Sequence, residues 1–218
     1  MTAMLRLCWR LLLGFAIILG LFFVRVPMAV AQIQPSELSQ VVREIELIDT
    51  LRSTLSSNFK DTKSKLNSEP EVCQLIAQKL DRLSCNHDWQ VKQIASQYRN
   101  PENAPISSRE KLALEKFANN PELVGFWKRD RQGIRYFQRI DLEASCLACH
   151  GAKHKRPPFI PKNYPHDLAY DFQEGDLAGM YSVWIPQQKG TIQDVIPDRH
   201  FCRRIGQYLA MQSHQSSP

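Results

Sequence analysis

The pentapeptide Cys146-Leu147-Ala148-Cys149-His150 constrains this chain more than any other feature. It sets two thiols three positions apart, with an imidazole directly after the second, a moderately specific signal by itself. In the cytosol this spacing would indicate zinc or a redox dithiol. The N-terminus points to a different compartment. Leu11 to Val24 is an uncharged apolar run of 14 residues behind Arg6 and Arg10, and Ala29-Val30-Ala31 precedes Gln32. A positive start, a short apolar stretch and an A-x-A exit describe a secretory signal peptide over residues 1–31. An uncleaved anchor is the rival, because Val26 and Met28 extend the apolar stretch, although a full span needs about 20 residues. Either way the rest of the chain is expected to work outside the cytosol.

In an exported chain, C-x-x-C-H is the attachment signal of a c-type haem. The thiols of Cys146 and Cys149 add to the haem vinyl groups, and His150 supplies the proximal imidazole to iron. No second C-x-x-C is present to complete a four-cysteine zinc site, and the flanks Glu143-Ala144-Ser145 and Gly151-Ala152-Lys153-His154 lack the buried strand of a thioredoxin-like unit. One covalent haem c is therefore the expected cofactor.

The sixth iron ligand must come from the opposite side of the ring. His154 lies too close to the attachment segment to reach around. His87, His166, His200, Met180 and Cys73 remain, with Met180 better read as a core residue. Of the six cysteines, Cys8 lies in the leader and two carry haem, which leaves Cys73, Cys85 and Cys202. Cys85 and Cys202 stand in polar surroundings and are candidates for a disulfide in an oxidising compartment. Cys73 falls on an apolar helical stripe, where it is either a ligand or a small buried hydrophobe. These residues alone leave both open.

Composition excludes other classes. Without the leader, 25 Lys+Arg face 22 Asp+Glu, a net +3 over residues 32–218, too weak for a nucleic-acid footprint. At 218 residues and 43% hydrophobic content, the chain is neither disordered nor a disulfide mini-scaffold nor a multi-pass membrane protein.

Periodicity predicts a helix from Pro35 or Ser36 to Asn58, with Leu38, Val41, Ile45, Ile48, Leu51 and Leu55 at three- and four-residue steps. Residues 60–69 form a polar connector. A second helix runs from Pro70 to Leu83, with Val72, Cys73, Ile76, Ala77 and Leu80 on one stripe. A strand is expected within Trp89–Tyr98, and the proline- and asparagine-rich segment 99–105 should lie outside regular structure. Ser107-x-x-Glu110 is a capping box that opens a helix ending near Asn119. Val124–Lys128 and Ile134–Ile140 form a hairpin across a turn at Asp130–Gly133, and Ala178–Ile185 is a further strand. Early helices followed by short antiparallel strands make an α+β domain.

Four separated motifs occur in order: Glu71-Val72-Cys73, Tyr98-Arg99-Asn100-Pro101-Glu102-Asn103-Ala104-Pro105, Cys146–Gly151 and Gln173-Glu174-Gly175-Asp176-Leu177-Ala178-Gly179. Over roughly residues 36–186 the chain resembles the Tll0287-like haem-domain family. The resemblance implies a PAS-like α+β fold over residues 32–186, an antiparallel sheet with flanking helices and one haem. It leaves 187–218 as a C-terminal extension. It also implies His/Cys ligation of iron, with Cys73 as the thiolate opposite His150.

A thiolate ligand favours ferric iron and a low potential. Low-potential electron transfer in a periplasm or thylakoid lumen is the expected function, with a haem-based redox or gas sensor acting through a partner protein as the alternative. An enzyme, whether peroxidase or thiol oxidoreductase, is the weaker reading, because six-coordinate iron lacks an open position. The redox partner is unspecified, and membrane contact is expected only through the leader. Arg99 and Asn100 are candidate contacts for a haem propionate, or simply part of a structural turn. Lys153, His154, Lys155 and Arg156 form a solvated basic run that could dock an acidic partner. Trp89, Trp127, Tyr136 and Trp184 are expected as core or haem-wall aromatics.

Overall fold

A computed structural model describes residues 34–59 and 72–187. Within them, helix α1 (Pro35–Phe59) and helix α2 (Val72–Asn86) precede strand β1 (Gln90–Ile94). Helix α3 (Ser108–Ala118), strands β2 (Gly125–Arg129) and β3 (Gly133–Asp141), short helices α4 (Leu147–His150) and α5 (Phe159–Asn163) and strand β4 (Leu177–Pro186) follow. The strands form one antiparallel sheet in the order β1-β4-β3-β2, the α+β arrangement expected from the sequence.

Both faces of the sheet are covered. Val41, Ile45 and Ile48 of α1 and Ile76, Leu80 and Leu83 of α2 pack on Val91, Tyr136, Tyr181, Val183 and Ile185. On the other face Ala113, Leu114 and Phe117 of α3 meet Ile94, Phe137 and Met180. Central strand β4 is therefore buried on both sides from Gly179 to Ile185. That is why its composition is nearly continuous in apolar residues despite its antiparallel pairing.

The capping box forms as the spacing predicts. Ser107 Oγ accepts from the Glu110 backbone N–H, and Glu110 Oε2 accepts from the backbone N–H groups of Ile106 and Ser107. The Glu110 carboxylate also pairs with Lys92 on β1 at 2.7 Å, which ties the start of α3 to the sheet.

Some elements depart from the sequence reading. The segment 99–105 contains one 3₁₀ turn, Pro101–Asn103, capped by the Asn100 side chain. Strand β1 is shorter than its β-rich composition suggests, because the Ala95 N–H turns to Asn103 O instead of continuing the ladder. On α2 the buried stripe is Ile76, Leu80, Leu83 and Ser84. Cys73 lies in line with Leu80 and Ser84 but in the first turn of the helix, where it is exposed, and Ala77 at the edge of the stripe is exposed too. The leader 1–31, the connector 60–69, Cys202 and the extension beyond Gln187 lie outside the described residues. No helix among the described residues is long and apolar enough to cross a membrane.

Two measurements test this packing. Burial pushes the Glu110 carboxyl upward, but the Lys92 ammonium and the two backbone donors outweigh it and hold the carboxyl below its ordinary 4.5. A carboxylate lowered in the folded state stabilises above its unfolded value and loses that contribution as pH falls. Glu110→Gln is expected to cost about 1 kcal/mol at neutral pH, with the difference closing towards pH 4 and below in urea melts. Gly179→Ala would place a Cβ 2.4 Å from the carbonyl oxygen of Ile94. It is expected to destabilise by roughly 2 kcal/mol, read as a lowered urea midpoint.

Candidate haem-binding site

After β3 the chain leaves the sheet, and residues 143–150 belong to neither hydrophobic cluster. The C-terminal part of α1 reaches across to them with polar side chains. Ser53 Oγ donates to Glu143 Oε2 at 2.9 Å, Ser56 and Ser145 hydroxyls meet at 2.9 Å, and Arg52 Nη1 lies 3.6 Å from Cys146 Sγ. Arg52 also pairs with Glu143 at 3.4 Å and with Asp49 at 2.9 Å. Tyr181 in the centre of the sheet donates to that same Asp49 at 3.1 Å. Burial and the Asp49 charge raise the Tyr181 hydroxyl well above its ordinary pKa, so it remains a donor. The first thiol of the motif is thus linked through α1 to β4.

A second polar cluster holds the other side of the motif. Asp167 is buried and lies between Arg99, 3.6 Å away, and Arg156, which donates to its Oδ2. Its Oδ1 accepts from the Ala169 N–H at 2.9 Å. Arg99 in turn donates to the Cys149 carbonyl at 2.8 Å. Helix α4 stops at His150, where the Gly151 N–H still bonds to Leu147 O. The chain then pairs with residues 171 and 172: the Asp171 N–H donates to Gly151 O at 2.8 Å and the Phe172 N–H to His150 O at 3.2 Å. Asp171 makes this turn at a φ of 61°, a left-handed conformation that aspartate tolerates better than most residues.

These contacts fix His150. Its Nδ1 lies 3.0 Å from the carbonyl oxygen of Ala169. A carbonyl only accepts, so the proton sits on Nδ1 and Nε2 presents its lone pair. Burial, then the Arg99 cation, push the His150 pKa down to about 4, against an opposing contribution from the Ala169 hydrogen bond. The imidazole is therefore neutral at pH 7. Its Nε2 faces Cys73 Sγ at 3.9 Å. Metal-binding histidines characteristically donate their second nitrogen to a carbonyl in this way.

Cys73, Cys146, Cys149 and His150 line one cleft, which encloses about 1140 Å³ with its solvent-filled mouth included. Tyr98, Phe159, Phe172 and Ile140 give it a largely apolar wall. Cys73, Cys146 and Cys149 are all thiols. The gap between Cys73 Sγ and His150 Nε2, 3.9 Å, is a few tenths of an ångström below the roughly 4.3 Å sum of a metal–imidazole and a metal–thiolate bond. An apolar slot, a neutral imidazole, a facing thiol and two further thiols fit a haem attached as the motif predicts.

The remaining sequence candidates divide. His154 and His166 are exposed and His87 stacks on Trp89 with ring centroids 4.1 Å apart. Met180 is fully buried in the core, and His200 lies outside the described residues. Asn100 does not line the cleft; its side chain accepts from the Glu102 N–H, so it serves the turn. Arg99 does line the cleft, but its guanidinium is engaged by Cys149, Asp167 and His150. Cys85 is disulfide-bonded, and its proposed partner Cys202 is not among the described residues. The basic run splits: Lys153, His154 and Lys155 are exposed, whereas Arg156 folds back on Asp167. Trp89, Tyr136 and Trp184 are buried core aromatics, as expected, whereas Trp127 is exposed on the edge strand β2; the aromatics of the cleft are Tyr98, Phe159 and Phe172. No motif or spacing signals Ala169, which acts through its carbonyl, nor Arg52 or Asp167, whose roles depend on contacts far along the chain.

Comparison with known proteins finds a related structure and a family. A crystal structure of the cyanobacterial heme-protein Tll0287 is similar, with a TM-score of 0.65 and 45% sequence identity, over 72% of this chain and 98% of that one. No curated protein matches. The family model described as Tll0287-like matches residues 31–186. On these grounds the chain belongs to the Tll0287-like family.

Proposed function

We propose that this protein binds one haem c, attached through Cys146 and Cys149 and ligated by His150 and Cys73, and acts as a low-potential electron carrier outside the cytosol. The observation that carries the reading is the approach of Cys73 Sγ to His150 Nε2 at 3.9 Å inside an apolar cleft flanked by two further thiols. A 45% identical relative is a heme-protein, which supports the same cofactor here. Bound haem would supply an iron that holds and releases one electron.

The protein's own groups set how that happens. His150 offers a neutral donor atom whose orientation the Ala169 carbonyl fixes. Cys73 stands in the first turn of α2, where the positive end of the helix dipole favours an anionic sulfur. An imidazole and a thiolate together leave no open position, which suits electron transfer better than catalysis. The thiolate donates strongly and disfavours the ferrous state. The leader supports a periplasmic or thylakoid-lumen location, with a partner protein as electron donor or acceptor.

The alternative is a haem-based redox or gas sensor acting through a partner protein, in which Cys73 would give up the iron on reduction so that a small gas could bind. Rapid carbon monoxide binding to the ferrous protein would support that role; reversible reduction with both ligands retained supports the carrier.

Two experiments test the assignment. Haem is expected to stay on the chain through denaturation and acid–acetone extraction, and to be lost in Cys146→Ala/Cys149→Ala. Spectra of ferric protein are expected to show low-spin thiolate features that disappear in Cys73→Ser, with a rise in midpoint potential. An unchanged spectrum in Cys73→Ser would return the sixth ligand to another residue.

A further inference from the structure

The cluster of Arg99, Asp167 and Arg156 supplies neither an attaching thiol nor an iron ligand in the reading above. It buries three charges beside the ligand imidazole, which is expensive unless each is paired. Arg99 and Arg156 both have their guanidinium groups largely withdrawn from solvent, and the Asp167 carboxylate between them is more buried still. Two cations and one anion leave a net positive charge on the His150 side of the cleft. Water is excluded there, so that charge is poorly screened.

The cluster also connects to His150 by two routes. Asp167 holds the Ala169 N–H at 2.9 Å, and the Ala169 carbonyl holds His150 Nδ1 at 3.0 Å. Arg99 holds the Cys149 carbonyl at 2.8 Å and places a guanidinium nitrogen 3.4 Å from the same Nδ1. Because Nδ1 carries the proton, that last contact is not a hydrogen bond. It brings a fixed positive charge against the ring.

We infer that Arg99 and Asp167 are positioning residues that set the redox potential of the site through His150, the cation opposing the electron donation of the Cys73 thiolate and the anion limiting that opposition. The inference rests on the haem reading above. It makes a prediction that loosened packing would not: the two residues act with opposite sign. Removing the Asp167 charge leaves two unopposed cations, which favour the ferrous state. Removing the Arg99 charge leaves Asp167 paired with Arg156 alone, which favours the ferric state.

The test is potentiometric titration of haem-loaded protein, with the ferric spectrum and thermal midpoint recorded for each variant. Asp167→Asn keeps the oxygen that accepts from Ala169 and is expected to shift the potential upward. Arg99→Gln is expected to shift it downward, and the double variant to return towards the parent. Arg156→Gln removes a cation from the far side of Asp167 without touching Cys149 or His150. It is expected to move the potential in the same downward direction, and it supplies that arm should Arg99→Gln fail to accumulate. Equal potentials in parent and variants, or shifts in one common direction that follow the loss of thermal stability, would overturn the inference while leaving the haem assignment intact. A parent protein that carries no haem would overturn both.

Discussion

The hydrogen bond between His150 Nδ1 and the Ala169 carbonyl is the interaction on which the site depends. Without it the proton could sit on either nitrogen and the ring could rotate. With it, one nitrogen is committed to the protein and the other is left as a donor aimed at Cys73. A single backbone carbonyl thereby specifies tautomer, orientation and ligand face together. The carbonyl is itself held from behind, since the Ala169 N–H is bound to a carboxylate caught between two arginines.

The apolar core supports this arrangement from a distance. The sheet and its helices bury their side chains against one another on two faces, and the motif hangs beyond the end of β3. There the chain is held by polar contacts to α1 on one side and to residues 167–172 on the other. This separates stability from chemistry. Core packing determines whether the domain folds, and a small number of charged and hydroxyl side chains determine where the thiols and the imidazole point.

Much of this was legible in the sequence because it was local. The Ser107–Glu110 box, the hairpin at Asp130–Gly133 and the long periodic helix each depend on residues close together in the chain, and each took the form its spacing implied. The resemblance added what spacing could not, by placing Cys73 opposite His150. What escaped was non-local or carried by backbone. Asn100 was open between a propionate contact and a structural turn, and its side chain serves the turn, while Arg99 grips the motif from 50 residues away. Cys73 is in phase with the buried stripe of its helix, but it stands in the first turn, where the helix meets the cleft rather than the core. Ala169 has no side-chain chemistry to read at all.

The contacts from Arg52, Ser53 and Ser56 to residues 143–146 have a geometric corollary. Arg52 and Ser56 continue, at four-residue steps from Ile48, the same stripe on which Val41, Ile45 and Ile48 meet the sheet, and Ser53 lies at its edge. The helix is therefore keyed at two places along its length, like a shaft with two cogs cut in fixed phase. Adding or deleting one residue between Ile48 and Arg52 would leave the core teeth engaged and swing the polar ones away from Cys146. The phase of α1 is thus a specification for the thiol turn as much as for the hydrophobic interior.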